Sequence, residues 1–243
     1  MTEVLLKLSV RPVPYPKEVH DRLEVEAKQI IDCYPQPRSA LLPLLHLVQS
    51  VEGYVSGTGI EFCAEQLGLT DAEVTAVATF YSMYRRNPTG DYHVGVCTNT
   101  LCAVMGGDRI FSDLKQHLGI GHGETTADGS ITLEHVECNA ACDYAPVVMV
   151  NWEFFDNQTP ESARAMVDAL RNGEQVTGTR SGAALCTFRE TARFLAGFPD
   201  ERPGANDGEP GAATLAGLHV ARGSGMPEQP AHQPNSETSG GDR

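Results

Sequence analysis

Residues 91–102, DYHVGVCTNTLC, decide how the chain is to be read. Tyr92, Val94 and Val96 alternate with His93 and Gly95, the period of a strand, and the strand text ends on a cysteine. A polar step through Thr98 and Asn99 leads to a second cysteine, Cys102. The arrangement recurs in residues 136–146, VECNAACDYAP, where strand text runs out at Cys138 and Cys142 follows across Asn139, Ala140 and Ala141. If the two strands are neighbours in one sheet, four thiols meet at its end.

Outward from this pair of loops, the text on either side has different periods. Between residues 16 and 84 apolar residues recur at helical spacing, beginning with Val19, Leu23, Ala27, Ile30 and Ile31 and breaking at Pro35 and Pro37. Ser39 is expected to cap the next helix, which carries Leu41, Leu44, Leu45 and Val48 towards Gly53, with Pro43 in its first turn. A third helix covers Ile60 to Leu67. A fourth starts at Thr70 with Glu73 in a capping box and carries Val74, Val77, Ala78 and Tyr81 on one side. RRNPTGD then ends a four-helix bundle.

Beyond residue 91 the expected order is strand, helix, strand, strand, helix. Asp108 is expected to cap the helix containing Ile110, Phe111, Leu114 and Leu118, closed by Gly119. SITLEHVEC and APVVMVNWEFF supply the later strands, and Thr159-Pro160-Glu161 opens a helix with Ala163, Met166, Val167 and Leu170 inward. The fold class is therefore α+β: an N-terminal helical bundle followed by a compact α/β unit with a small mixed sheet. The expected divisions are an extension over 1–15, the bundle over 16–90, the α/β domain over 91–174, and a tail over 175–243. The tail is rich in Gly, Pro and polar residues, which argues for disorder or docking on a partner. Its exception is a short amphipathic helix near 185–197 built on Leu185, Phe188, Ala192 and Leu195, placed against a partner or against the chain's own body.

The charge is strongly acidic, 32 Asp and Glu against 18 Lys and Arg, and no basic block tracks a phosphate backbone, so nucleic acid is not an expected partner. No apolar run is long enough for a membrane span, no secretory signal is evident, and seven cysteines are an odd, sparse set for a disulfide scaffold. The expected compartment is reducing cytoplasm.

Thiolates are the normal protein ligands of a two-iron, two-sulfide core, two to each iron. The two local pairs divide in that way, Cys97 with Cys102 and Cys138 with Cys142. Structural zinc held by four thiolates is the competitor, although zinc knuckles usually contain a two-residue spacing and these loops have four and three residues between ligands. Thiol exchange of the Cys-x-x-Cys kind lacks its spacing. Small Thr98, Asn99, Ala140 and Ala141 permit close backbone approach, and Asp91, Glu137 and Asp143 place negative charge nearby, which points to a low reduction potential.

VATFYSMYRRNPTGDYHVGVCTNTLCAVMGG, CNAACDYAPVVMVN and TPESARAMVDAL together resemble the family of thioredoxin-like [2Fe-2S] ferredoxin subunits of the respiratory NADH-quinone oxidoreductase, complex I, over about residues 15–172. The resemblance implies a thioredoxin-like ferredoxin domain holding one [2Fe-2S] cluster on Cys97, Cys102, Cys138 and Cys142, with Pro146 at the proline that follows the last ligand. It implies a partner flavoprotein subunit carrying FMN and the NADH site, a place in the peripheral arm at the cytoplasmic face of the membrane, and single-electron exchange with the flavin off the main path to quinone. No catalytic residue is expected in this chain, which alone should not oxidise NADH. Ala140 departs from the family, where many members have glycine. Similar modules serve NAD-linked hydrogenases and formate dehydrogenases, and from a different class a zinc-stabilised scaffold remains open.

Cys33 and Cys63 sit in helical text as ordinary buried or half-buried cysteines, and Cys186 as a spare thiol. Phe80, Tyr81, Met83 and Tyr84 read as core or subunit-interface packing. His93 and His135, on strand text, read as solvent-facing or hydrogen-bonded, and GIGHGET as a turn, since it follows a helix.

Overall fold

Leu23, Ala27 and Ile30 recur every three or four residues, so that helix α1 (Lys17–Ile31) turns one stripe inward. The computed structural model describes residues 12–205, 207 and 210–224; the expected extension up to residue 11 and the tail from residue 225 lie outside the described residues. After a 3₁₀ turn at Pro37–Ala40 come α2 (Leu41–Glu52), α3 (Gly57–Leu67) and α4 (Asp71–Phe80). Ser56 and Thr70 cap α3 and α4 through their side chains, and Thr70 and Glu73 form the expected capping box. Ser39 does not act as a cap: it lies within the 3₁₀ turn, and Ala40 precedes α2. Leu44, Leu45, Leu47, Val48, Phe62 and Cys63 fill the bundle core. α4 stops at Phe80, and Tyr81 is already extended, so Tyr81 does not continue the helical stripe. Tyr84 instead turns inward and donates its hydroxyl to the Leu42 carbonyl at 2.9 Å.

The sheet is five-stranded in the order β2-β3-β1-β4-β5: β1 is Tyr92–Cys97, β2 Glu124–Thr125, β3 Ile131–Val136, β4 Val148–Val150 and β5 Glu153–Phe155. Strands β1 and β3 are parallel, and the other neighbours pair antiparallel, so the sheet is mixed. Between β1 and β3 run α5 (Thr100–Met105) and α6 (Gly107–Leu118); α7 (Pro160–Arg171) follows β5. Val94, Val96, Ile131, Leu133, Val148 and Val150 present one face of the sheet to Ile110 and Leu114 of α6 and Ala163, Met166 and Val167 of α7. The six-residue α5 is too short to show a hydrophobic period and is absent from the expected order of elements. Gly106, not Asp108, precedes α6, and Asp108 sits in the first turn, where its charge suits the helix N-terminus.

Residues 175–205 pack on this body: the short helix expected near 185–197 is present, and of its two expected placements it takes the one against the chain itself, while the disorder or partner docking expected from residue 175 is not found over this stretch. Thr177 and Ala184 form an antiparallel bridge, and α8 (Phe188–Leu195), capped by Thr187 with Glu190, lies against α2. Phe188 is 1 % exposed. Its amide donates to the Asp91 carbonyl at 2.7 Å, and Arg193 on the same helix pairs with Glu26 at 2.9 Å. The Gly- and Pro-rich text hides this because few apolar residues do the anchoring. The chain divides into two compact units between Gly208 and Glu209. The second, described over Pro210–Ser224, contains helix α9 (Ala212–Gly223). Among the described residues no helix is long and apolar enough to cross a membrane.

Bundle and sheet are joined by polar contacts. Gln49 of α2 accepts from the Arg85 amide at 2.8 Å and donates to the Met83 carbonyl, fixing the connecting loop. Arg85 then donates to Glu134 of β3, and Glu134 also meets the Nε2 of buried His93 at 2.7 Å.

Two outcomes are expected. Phe188→Ala should lower stability by about 3–5 kcal/mol, as for other fully buried phenylalanines, and a urea midpoint as high as that of the unaltered chain would show that α8 does not hold the body together. His46, buried beside Tyr84 with no partner for its Nδ1, has its pKa lowered to about 4 by burial. Between about pH 4 and 6.5 the unfolded chain takes up a proton that the folded chain does not, so stability falls as pH drops through this window, by roughly 3 kcal/mol in all. His46→Leu should remove that part of the slope in denaturation measured across the window.

Candidate metal centre

The parallel register pairs Cys97 with Val136, so β1 and β3 release their following loops at the same end of the sheet. One loop carries Cys97 and Cys102, the other Cys138 and Cys142. The first pair is enclosed: Cys97 is 3 % exposed and Cys102 2 %, packed with Ala141 and Val147, against which Val136, Ala145 and Phe154 rest. The Cys97 amide donates to the Val147 carbonyl at 3.1 Å, and Cys102 is held on α5. The second pair is exposed, with Cys138 Sγ and Cys142 Sγ 3.5 Å apart. Asn99 of the first loop donates to Glu137 of the second at 2.9 Å and clasps them together.

Glycine is required behind the enclosed pair. A Cβ at Gly107 would collide with the Cys97 carbonyl oxygen and stand 2.9 Å from that of Cys102. Ala140 in the outer loop has φ +55, in the left-handed region that glycine adopts freely and alanine does not. Alanine at this position therefore bears on the backbone as well as on packing. The Ala145–Pro146 bond that follows the loop is cis.

All seven cysteines are free, so the loops are not closed by disulfides. Burial pushes the Cys102 thiol up to about 11, and contact with Cys138, followed by burial, raises that of Cys142. A bound cation reverses this preference by taking the place of the protons. Among the described residues, no three of these sulfur atoms lie within 4.8 Å of one another. A tetrahedral zinc at about 2.3 Å from each thiolate would draw all four to about 3.8 Å spacing. One local pair on each loop, brought to the same end of the sheet, suits a two-metal core with two ligands on each metal. The buried Nδ2 of Asn139, within the Cys138–Cys142 loop, has no hydrogen-bond partner and is a donor suited to a sulfide or thiolate acceptor.

The remaining cysteines are separate from this constellation. Cys63 lies in the bundle core, and burial pushes its thiol up to about 12. Cys186 is half-buried and shares a 3.2 Å contact with Thr191. Cys33 is exposed, against the expectation of a buried or half-buried residue, because it lies past the last turn of α1, beyond the stripe of Leu23, Ala27 and Ile30 that faces the core. His93 is buried and hydrogen-bonded, whereas His135 stacks on His122 with ring centroids 4.2 Å apart. A cleft of about 260 Å³ on the sheet face opposite the α6 and α7 core reaches Cys138 past His93, Glu134, Met149 and Trp152.

Local sequence patterns do not reveal the surroundings of Asp143. Arg180, from the segment after α7, makes a two-bond fork with Asp156, each bond 2.9 Å, and its guanidinium lies over the rings of Phe154 and Tyr144. Asp143, beside Cys142, is 3.9 Å from the same guanidinium. A lone arginine in Gly- and Ser-rich text carries no signal of this.

A family model described as thioredoxin-like [2Fe-2S] ferredoxin matches residues 27–171. The E subunit of the NADH-quinone oxidoreductase of Mycobacterium tuberculosis (strain ATCC 25618 / H37Rv) is 67% identical over 219 residues, covering 90% of this chain and 86% of the relative. NADH-quinone oxidoreductase subunit 2 of Thermus thermophilus is 40% identical over 140 residues, covering 57% of this chain and 77% of the relative. An NAD+-reducing [NiFe]-hydrogenase in the air-oxidised state shares the fold, with a TM-score of 0.50 and 20% identity over 55% of this chain and 23% of that one.

Gly107→Ala should displace the Cys97 and Cys102 backbones. Titration of the metal-free chain with a thiol reagent under native conditions is expected to show these two thiols reacting faster than in the unaltered chain, and unchanged protection would mean that the close approach does not position them.

Proposed function

Because the chain belongs to the thioredoxin-like [2Fe-2S] ferredoxin family, we propose that it is the electron-transfer subunit of an NADH-quinone oxidoreductase, with one [2Fe-2S] cluster held by Cys97, Cys102, Cys138 and Cys142. The observation that carries this reading is the two-and-two placement of the sulfurs at one end of parallel β1 and β3. When bound, the cluster takes up and returns single electrons. Cys97 and Cys102 hold it from the enclosed side, and Cys138 and Cys142 from the side open to a partner. Gly107 lets α6 close behind the enclosed pair, the Asn99–Glu137 bond keeps the two loops in step, and Asn139 offers a donor.

The partner in this reading is a flavoprotein subunit with FMN and the NADH site, in a peripheral assembly at the cytoplasmic face of the membrane. Leu101, Val104 and Met105 expose apolar side chains on the same helix as Cys102, and Phe80 does so at the end of α4, which supports docking of another subunit near the cluster. In this reading hydride chemistry belongs to the partner, and this chain exchanges electrons only. The names of the relatives at 67% identity favour a quinone-linked assembly over the hydrogenase or formate dehydrogenase alternative. The zinc scaffold is disfavoured by the match to a [2Fe-2S] family over residues 27–171.

The test is iron and acid-labile sulfide content, with the electron paramagnetic resonance spectrum of the anaerobic, dithionite-reduced protein. About two irons and two sulfides per chain and a rhombic S = 1/2 signal are expected. Cys142→Ser should lose most of both, whereas Cys33→Ser should retain them. Zinc without sulfide, or full cluster content in both variants, would reject the assignment.

A further inference from the structure

Arg180 lies beyond the stretch matched by the family model, which ends at residue 171. Its position is nonetheless fixed from several directions. Asp156 holds the guanidinium through both oxygens; Thr179, one residue earlier, donates its amide to the Phe154 carbonyl at 2.8 Å and accepts from the Asp156 amide at 3.1 Å. The guanidinium is centred 4.6 Å from the Phe154 ring and 5.4 Å from that of Tyr144. Phe154 packs against the nest that encloses Cys97 and Cys102, and Tyr144 ends the 3₁₀ turn that begins at Cys142. Arg180 therefore touches supports of both cysteine loops.

It also decides the local charge. Asp143 directly follows Cys142, and the Asp156 side chain is only 9 % exposed; without Arg180 both carboxylates would stand beside the outer loop unneutralised. An electron added to a group already held by four thiolates is opposed by nearby negative charge and favoured by positive charge.

We propose that Arg180 is a positioning residue for the redox centre: it fixes the Cys142–Tyr144 turn and, by offsetting Asp143 and Asp156, raises the potential at which the centre accepts one electron. This rests on the cluster assignment above. In the cell that electron comes from the reduced flavin of the partner; in the test, dithionite supplies it.

The experiment is a redox titration of the anaerobically purified full chain, followed by electron paramagnetic resonance, for the unaltered protein, R180L, R180K, D143N and D143N/R180L. R180L should weaken the reduced state relative to the oxidised state by about tenfold, which is ~59 mV for one electron. R180K keeps the charge but not the planar fork, and should retain more than half of the difference between R180L and the unaltered protein. D143N should raise the potential, and adding it to R180L should recover part of the loss. In the metal-free chain, both Arg180 variants should let the enclosed Cys97 and Cys102 alkylate faster, because the Phe154 ring under the guanidinium rests on the nest that shelters them.

An R180L midpoint equal to that of the unaltered protein overturns the proposal, as do equal shifts in R180L and R180K. If R180L assembles no cluster, an unchanged midpoint in D143N overturns it and a raised one supports it. Absence of sulfide and signal from the unaltered chain would instead overturn the cluster assignment itself, and this proposal with it.

Discussion

Parallel pairing of β1 with β3 is the constraint from which the rest follows. Antiparallel neighbours release their following loops at opposite ends, so two cysteine pairs that each follow a strand can meet only if those strands run the same way. That direction obliges the chain to cross back between the strands, and α5 and α6 make the crossing. The same crossing carries Cys102 on α5 and closes its far side with α6, where Gly107 allows contact with the cysteine carbonyls. Ile110 and Leu114 of α6 then cover the sheet face formed by Val94, Val96, Ile131 and Leu133. Site and core are thus fastened by one segment.

The other face of the sheet is where the helical bundle is joined, and the join is largely polar. Arg85, Glu134 and His93 form a nearly buried network, in which one carboxylate serves both a guanidinium and an imidazole. The two interactions hold Glu134 ionised, its pKa lowered to about 2 against the opposing effect of burial. Asn151 completes the join: its side chain accepts from the His93 amide and donates to the carbonyls of Asp91 and Cys186. One residue in the turn between β4 and β5 thereby ties together β1, its entry and the segment leading into α8.

Much of this is legible in the sequence where a period or a cap writes it. The alternation of Tyr92, Val94 and Val96, the capping box at Thr70 and the helix start at Thr159 need no tertiary information. The two cysteine pairs are also plain, because each is local. What is not legible depends on distance along the chain. The apolar spacing of Phe188, Ala192 and Leu195 announces α8, but what it packs on is set by residues far earlier in the chain, which no local pattern names. Arg180 and Asp143 are separated by a strand pair and a helix, and no local pattern couples them. α5 is shorter than two full turns, too short for hydrophobic periodicity to reveal it.

The unequal shelter of the two thiol pairs gives the site an inside and an outside. Oxidants and chelators arriving from solvent meet Cys138 and Cys142 first, while Cys97 and Cys102 stay behind Val147, Ala141 and the α6 backbone. The approach from solvent is thus one-sided, through the outer loop. Any surface that came to rest over that loop would shield the two thiols that solvent otherwise reaches first, and the inner pair would need no such cover.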